Sequence, residues 1–542
     1  MNARRRTELG AALLVAALVW LVLYPILIVI GDATTADAVR QFTTRPGEWA
    51  ALWASLWVSV ASVVLAALVG VPLAFLFEWF EFPGRKTLGA LVALPVVLPP
   101  LVGVIAFLFL YGESGFAARA IQALFGLERG PWRLQGPGAI LLVHAYSMYV
   151  YFYLFTRAGL AQLDVSMLEA AQALGAGRWL TFRRVIVPLL RPALGGAALL
   201  VFMTALGSFS APYLYGGGFR VMTTQIVASK LNGEIGLAMV ETVALAALAL
   251  VALLLLGRLE GDETTVALGK GIAPRRRPLA TRWGRGAAAL VGWLFAVLLL
   301  LPHLTLVLVS LVPFGTWTTQ AVPPALNLDN YRRLLAEPER LRPLVNSMWM
   351  AAVSTAGAVA LGLAAGWLAV RRRVTLRRPI EWLVALPWAL PGTVFAIALA
   401  TAFSVHRPLA LRWVFVGTVA ILPLAYLVRG LPVAGRALLA GFRQLDPTLD
   451  EAAASLGHGR LATLRRVTLP LLKPALLAGA SLAFVAALGD FVTSIVLYTY
   501  QSRPIAIEIL SSLRLSEMGV AAAFGVVLMV LSAGVLALGG RR

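Results

Sequence analysis

The sequence predicts an all-α polytopic membrane protein with about 12 transmembrane helices, arranged as two parallel six-helix repeats. Three observations carry this. Of 542 residues, 60% are hydrophobic and 13% charged, with a mean hydropathy of +0.84; soluble globular chains lie nearer half apolar. The apolar residues fall in blocks of about 20, the length that crosses roughly 30 Å of hydrocarbon. Finally, EAAQALGAGRWLTFRRVIVPLLRPAL at 169–194 returns ungapped at 451–476 as EAAASLGHGRLATLRRVTLPLLKPAL, with 17 of 26 positions identical.

By length and apolarity the spans are expected near 9–30, 52–78, 88–111, 138–157, 193–215, 237–257, 286–311, 346–370, 380–403, 413–429, 475–497 and 519–539. The start, MNARRRTELGAALLVAALVWLVLYPILIVI, has the charge of a signal peptide. Its apolar run is too long for one and no clear cleavage site follows, so it reads as a retained first span. With the N-terminus placed in the cytoplasm, 31 of the 46 Lys and Arg residues fall on that side, where basic residues collect. Both termini and both copies of the polar loop are then expected on the cytoplasmic side of the membrane. The same rule accounts for the net charge of +21, so the lipid bilayer, and no nucleic acid, is the expected environment. Cysteine is absent, which excludes disulfides, thiolate metal sites and a cysteine nucleophile.

The loop copies are offset by 282 residues. Upstream, LVALPVVLPP at 91–100 answers LVALPWALPG at 383–392, offset 292, and Ser55 and Trp57 match Ser347 and Trp349 at that offset. About ten extra residues therefore belong in the first half's outer loop around 111–138. Downstream, Phe202, Leu206, Gly207 and Phe209 match Phe484, Leu488, Gly489 and Phe491. An even number of spans per half gives both halves one orientation, with a pseudo-twofold axis along the membrane normal. The expected units are a transmembrane half at 1–257, a Gly/Pro/charge-rich cytoplasmic linker at 258–285, and a second transmembrane half at 286–542.

Within the loop, Ser166-x-x-Glu169 and Thr448-x-x-Glu451 read as capping boxes opening a short helix. Gly175 and Gly457 can take the left-handed conformation that closes it. A basic segment follows, with Arg178, Arg183 and Arg184 or Arg460, Arg465 and Arg466, and Pro188 and Pro470 mark its expected far end. Such a helix pair can cap the bundle against lipid phosphates, or it can be a docking knob. Two ungapped copies in otherwise diverged halves favour docking, and a twofold pair of knobs implies a twofold partner.

The pattern Glu169-Ala170-Ala171, Gly175, Val185, Val187-Pro188, repeated as Glu451-Ala452-Ala453, Gly457, Val467, Leu469-Pro470, resembles the EAA motif of binding-protein-dependent ABC importer permeases. Two details depart from that pattern: Val stands where Ile is preferred, and Val187 where Leu is usual. The resemblance covers nearly the whole chain. It is strongest to the fused iron(III) importer permeases, with thiamine and 2-aminoethylphosphonate permeases similar. It implies the type I importer permease fold, and a coupling role for Glu169, Ala170, Ala171, Gly175 and Arg178 and for Glu451, Ala452, Ala453, Gly457 and Arg460. It further implies two copies of an ABC ATPase subunit on the inner face and a substrate-binding protein on the outer face. This chain has no P-loop: its only Gly-Lys, Gly269-Lys270, is followed by Gly271. ATP and Mg are thus expected on the partner ATPase, with no cofactor, metal or catalytic residue in this chain.

Ionisable groups inside spans are functional candidates. Asp490 in ALGDFVTSIVLY, with Ser208 as its counterpart in ALGSFSAPYLY, is placed on the substrate pathway, the alternative being an Asp paired with an Arg for structure. Glu241 reads as interfacial, His144 and His303 as satisfied core histidines, and His458 as a surface variation. Pro95, Pro99, Pro387 and Pro391 fall inside spans and kink them. In the outer loops, Arg220, Arg503, Glu234 and Glu517 recur in both halves, to stabilise the loops or to meet a docked protein. An ion-coupled secondary transporter with a 6+6 repeat is the alternative reading. It needs intramembrane carboxylates and leaves the paired loops unexplained.

Overall fold

The computed structural model describes residues 3–97, 99–258, 277–279, 281–316, 323, 325–404, 407, 409–410 and 414–540. Most of the expected linker, 259–276 and 280, lies outside them. The first half comprises α1 (Arg5–Asp32), α2 (Pro46–Trp79), α3 (Arg85–Ala93), α4 (Pro100–Tyr111), α5 (Pro137–Ala161), α6 (Val165–Ala173), α7 (Arg178–Leu206), α8 (Ser210–Tyr215), α9 (Met222–Leu231) and α10 (Ile235–Gly257). The second repeats the order as α11 (Arg282–Ser310), α12 (Pro338–Arg371), α13 (Arg377–Ala385), α14 (Gly392–Ala402), α15 (Ile421–Gln444), α16 (Thr448–Ser455), α17 (Leu464–Leu488), α18 (Val492–Leu497), α19 (Ile505–Arg514) and α20 (Met518–Gly539). Counting Pro100–Phe125 as one, eleven described helices are long and apolar enough to span a membrane, and a bent pair makes up to 12.

Three expected spans need correction. The ninth is broken: Arg377–Ala389 and Gly392–Ala402 meet at 110°. Pro387 and Pro391 fall at the break, where proline removes an N–H and clashes with the preceding turn. In the third, a short helical turn ends at Val97 and α4 starts at Pro100. The tenth was placed at 413–429, but the helix runs Ile421–Gln444. Its hydropathy is low because 67% of its best window is buried within the protein, so its perimeter is not required to be lipid-soluble. Arg429 therefore sits inside a span rather than in a loop. The extra residues of the first half do lie between α4 and α5, where a short helix, Phe116–Phe125, forms.

Small residues set the close crossings. A Cβ on Gly70 of α2 would run into the backbone of Tyr149 and Tyr153 on α5; the matching Gly362 of α12 faces the Cα of Gly435 on α15. The halves also exchange their first helices. α1 packs on α14, and α11 packs on α3 and α4. Trp20 lies 5.0 Å from Phe403, ring to ring, and donates to the Leu409 carbonyl at 2.9 Å. Tyr146 donates to the Leu299 carbonyl at 2.9 Å. One apolar core, including Leu206, Phe209, Phe395 and Phe491, runs through both halves.

Candidate functional site

The repeated loops are α6 and α16 with their flanks, on one face of the bundle. Their N-termini correct the capping-box expectation. The Asp164 side chain caps α6, accepting from the Ser166 N–H at 2.9 Å, and Asp446 accepts from the Thr448 N–H at the same distance. An aspartate two residues ahead reaches these orphan donors first, which leaves Glu169 and Glu451 free of a capping role. That hydrogen bond holds the Asp446 carboxyl below its ordinary value. Both helices close as expected, at Gly175 (φ +78°) and Gly457 (φ +77°). Ala176 N–H reaches Ala171 O and Gly175 N–H reaches Gln172 O; His458 and Gly457 repeat this to Ala453 and Ala454. That is the Schellman pattern.

The basic segment does not end at Pro188 or Pro470. It runs into the following span through a π-turn, Phe182–Ile186 in one copy and Leu464–Thr468 in the other. The widened turn carries the helix into the proline-containing first turn of the span. Glu169, Ala170, Gly175, Arg178, Glu451, Ala452 and Gly457 are exposed, Ala171 is half-buried and Ala453 buried. The Arg460 side chain lies outside the described residues. Leu174 and Leu456 project from the loops at 87% and 79% exposure, so each copy presents an apolar tip beside an acidic residue.

The two loops are anchored differently. In the first half, Phe75, Trp79 and Phe182 pack with Leu163, Leu168 and Ile186. In the second, Arg371 stands where Trp79 does, 3.7 Å from Asp450, and reaches the Asp446 carbonyl at 3.4 Å. His458, half-buried, lines a pocket of about 180 Å³ there with Arg371 and Asp450, rather than being a surface substitution.

Between the halves lies a cavity of about 320 Å³. Ser208 and Asp490 both line it, with Pro387 and Pro391 of the broken span. Asp490 is paired: Arg429 Nε lies 2.9 Å from Oδ2, and Thr493 donates its N–H to Oδ1 at 2.7 Å and its hydroxyl to Oδ2 at 3.0 Å. Opposite, Ser208 is 2.9 Å from His144 Nε2, whose Nδ1 is 2.8 Å from Ser62. His144 is thus a satisfied core histidine, and His303 likewise sits 3.0 Å from the Leu299 carbonyl and 3.2 Å from Tyr146. Sequence reasoning missed Arg429. Its counterpart at offset 282 is Ser147, mid-span in the first half, which was the available signal.

The face opposite the loops is closed by contacts that cross the halves. Phe209 and Phe491 lie 5.6 Å apart and Tyr213 is 6.2 Å from Phe491. Lys230 donates to the Val496 carbonyl at 2.5 Å, and Arg514 donates to the Tyr213 hydroxyl. Burial pushes the Lys230 ammonium down to about 8. The repeated loop carboxylates stabilise the protein itself: Arg45 binds Glu234 through two nitrogens, at 3.0 and 2.9 Å, and Arg340 holds Glu517 in the same way, at 2.9 Å twice. Arg503 pairs with Glu508 at 2.8 Å, and Arg220 donates to Gln225 at 3.1 Å. Arg45 holds the Glu234 carboxyl below its ordinary value. Glu241 is not interfacial but fully buried, accepting from Ser229 at 2.7 Å and facing Glu48; one oxygen of each carboxyl has no partner.

The fold and these sites define a class: a membrane permease of two fused, similarly ordered halves, each with a polar loop on one face and a shared cavity at their junction. The chain belongs to the binding-protein-dependent transport system inner membrane component family, whose model matches residues 66–261 and 358–540, once in each half. It is 31% identical over 487 residues to the probable ABC transporter permease protein y4fN of Sinorhizobium fredii, covering 89% of this chain and 84% of that one. To the ferric transport system permease protein FbpB of Actinobacillus pleuropneumoniae it is 30% identical over 446 residues, covering 81% and 63%. To the thiamine transport system permease protein ThiP of Escherichia coli it is 27% identical over 474 residues, covering 82% and 79%.

Proposed function

We propose that this permease carries iron(III), delivered by a binding protein on the outer face, into the cytoplasm, driven by two ATPase subunits that hold ATP and Mg. The observation that supports iron is the 30% identity to a ferric permease across 81% of the chain; thiamine and 2-aminoethylphosphonate are the alternative solutes. The loops are the coupling elements. Each is a capped helix with an exposed leucine tip, closed by its glycine and followed by a basic segment that runs through a π-turn into a span ending two residues short of Ser208 or Asp490. ATPase closure draws α6 and α16 together, the halves rock, and the Phe209–Phe491 closure opens toward the binding protein. Both termini and both loops are then cytoplasmic, and the membrane is the bacterial inner membrane. The chain itself makes and breaks no covalent bond.

The test is purification of the tagged chain from its native membrane, followed by uptake of radiolabelled iron(III) and of thiamine. An ATPase subunit is expected to co-purify, and iron uptake to be lost on deletion of the chain. Thiamine uptake lost with iron uptake intact overturns the iron assignment. Cysteines at Ala176 and His458 are expected to label only from the cytoplasmic side, and outside labelling of either reverses the orientation.

A further inference from the structure

We propose that the central cavity is a binding site for an oxyanion-bearing solute, of carboxylate or phosphate type, and that the Arg429 guanidinium is its recognition group. This deepens the importer reading and rests on it for the word solute.

The argument starts from what Asp490 is already doing. It is 5% exposed as a side chain, and its two oxygens accept from the Thr493 N–H, the Thr493 hydroxyl and Arg429. Asp490 is committed to holding Arg429 in place rather than offering a carboxylate to a cation. Arg429 is less committed. A guanidinium carries five N–H donors in a planar fork, and Nε is the one engaged with Asp490. The side chain is 36% exposed, and its residue lines the cavity. Gly392 makes room for it: a Cβ there would collide with Nη1. Nη1 packs against Gly392, and neither terminal nitrogen has a protein partner among the described residues, which leaves their N–H groups for an oxyanion, the ligand that this fork matches.

The other polar lining completes the chemistry. Ser210 brings a hydroxyl; those of Ser147 and Thr204 already donate to the Val143 and Leu200 carbonyls, at 2.8 and 2.7 Å, and both His144 nitrogens are engaged with serines. Asp490 is the sole carboxylate among the lining residues, and no metal-ligating cluster of three or more His, Cys, Asp or Glu occurs among the described residues. A bare metal cation finds no free anionic ligand here. An iron(III) ion would pass this point only inside a shell of anionic ligands. The site is single, because the positions equivalent to Arg429 and Asp490 in the first half are Ser147 and Ser208. The low dielectric between the spans strengthens each charged contact relative to water.

The experiment is calorimetric titration of the full chain in phosphatidylcholine nanodiscs with inorganic phosphate, citrate and, as a cationic probe, thiamine. Phosphate or citrate is expected to bind and thiamine to bind more weakly. Arg429→Gln alone leaves a buried carboxylate unpaired, so the informative loss variant is Arg429→Gln with Asp490→Asn. It should fold, both charges being gone, and lose anion affinity by about tenfold or more, the effect of one charge-assisted contact. Asp490→Asn alone should tighten anion binding severalfold, because it frees the guanidinium. A merely structural Arg–Asp pair predicts no anion binding in any of the three proteins. That outcome, or unchanged binding in the double variant, overturns the site. Loss of anion binding in discs containing phosphatidylglycerol assigns the cavity to a lipid headgroup and overturns the solute. Binding is read without an ATPase, so failure of the importer reading would show separately, as an ATPase that does not co-purify with the unaltered chain.

Discussion

Gly175 and Gly457 allow the coupling role of the loops to be tested with little steric confusion. Both close their helices at positive φ, +78° and +77°, and at both a Cβ would meet nothing within 4 Å. Within this chain a substitution there acts through the backbone alone. An ordinary L-residue in the left-handed region costs roughly 1–2 kcal/mol, while Asn visits it routinely and a β-branched residue is an outlier there. Since 1–2 kcal/mol corresponds to about a 5–30-fold change in a population, the native loop should be depleted in the order Asn, Ala, Val. The assay is retention of the ATPase on purification and solute-stimulated ATP hydrolysis, for each substitution singly and in pairs. Asn variants should behave nearly as the unaltered chain. Each Val variant should be impaired, and the Val pair nearly inactive, because both loops must move for the halves to rock, so the losses are non-additive. Ala176→Val, one residue on, is the control. If the Asn and Val pairs behave alike, the conformation of these loops does not govern coupling, and the reasoning fails.

Asp164→Ala and Asp446→Ala should each cost about 0.5–2 kcal/mol of local helix stability, read as faster amide exchange in α6 and α16. Glu169→Ala and Glu451→Ala should leave that exchange unchanged while weakening ATPase retention, since neither glutamate caps. Lys230 predicts a pH dependence. Its value falls from 10.5 to about 8 on burial, so the folded, closed form is penalised while the ammonium is charged and relieved as pH rises from about 8 toward 10.5. The unaltered chain should therefore gain up to about 3 kcal/mol of stability relative to Lys230→Met as pH rises over that window; a flat difference in thermal melts refutes the burial. Glu241→Gln should raise thermal stability by about 1 kcal/mol or more, because it replaces a buried confrontation of two carboxyls with an amide that can donate to Glu48. A fall in the melting temperature would count against that arrangement.

The architecture was legible in the sequence because membrane thickness fixes the length of apolar blocks and because the chain repeats itself. What escaped was decided by tertiary burial. α15 carries Arg429, Arg436 and Arg443 and still crosses the bundle, since its neighbours are protein and not lipid; a hydropathy reading moved it toward 413–429 for that reason. Glu241 near a span end looked interfacial, yet α2 and α9 cover it completely. The capping boxes were a local pattern outcompeted by another local pattern: Asp164 and Asp446 stand at the same offset as the rest of the loop, and an aspartate nearer the first orphan N–H takes it. The proline breaks were read as kinks, whereas the chain turns by 110° at Pro391, with α1 packed against both arms. The loop glycines were legible because no other residue suits their conformation.

Fusing two halves into one chain lets them diverge where identical subunits could not, and the differences follow a mechanical line. In the second half, α17 runs 25 residues from the π-turn to Leu488, about 37 Å of continuous helix at 1.5 Å per residue. At one end it meets α16, tied to α12 by the Arg371–Asp450 pair. Two residues past the other end stands Asp490, which holds Arg429. In the first half the same helix joins an aromatic anchor, Phe75, Trp79 and Phe182, to the neutral Ser208–His144 contact. If the loops couple as proposed, a displacement of α16 is carried along α17 toward the Arg429–Asp490 ion pair. The same displacement of α6 is delivered to a serine that can rotate its hydroxyl. On that proposal, equal motions of the two loops reach unlike groups in the cavity, an ion pair in the second half and a hydroxyl–imidazole contact in the first.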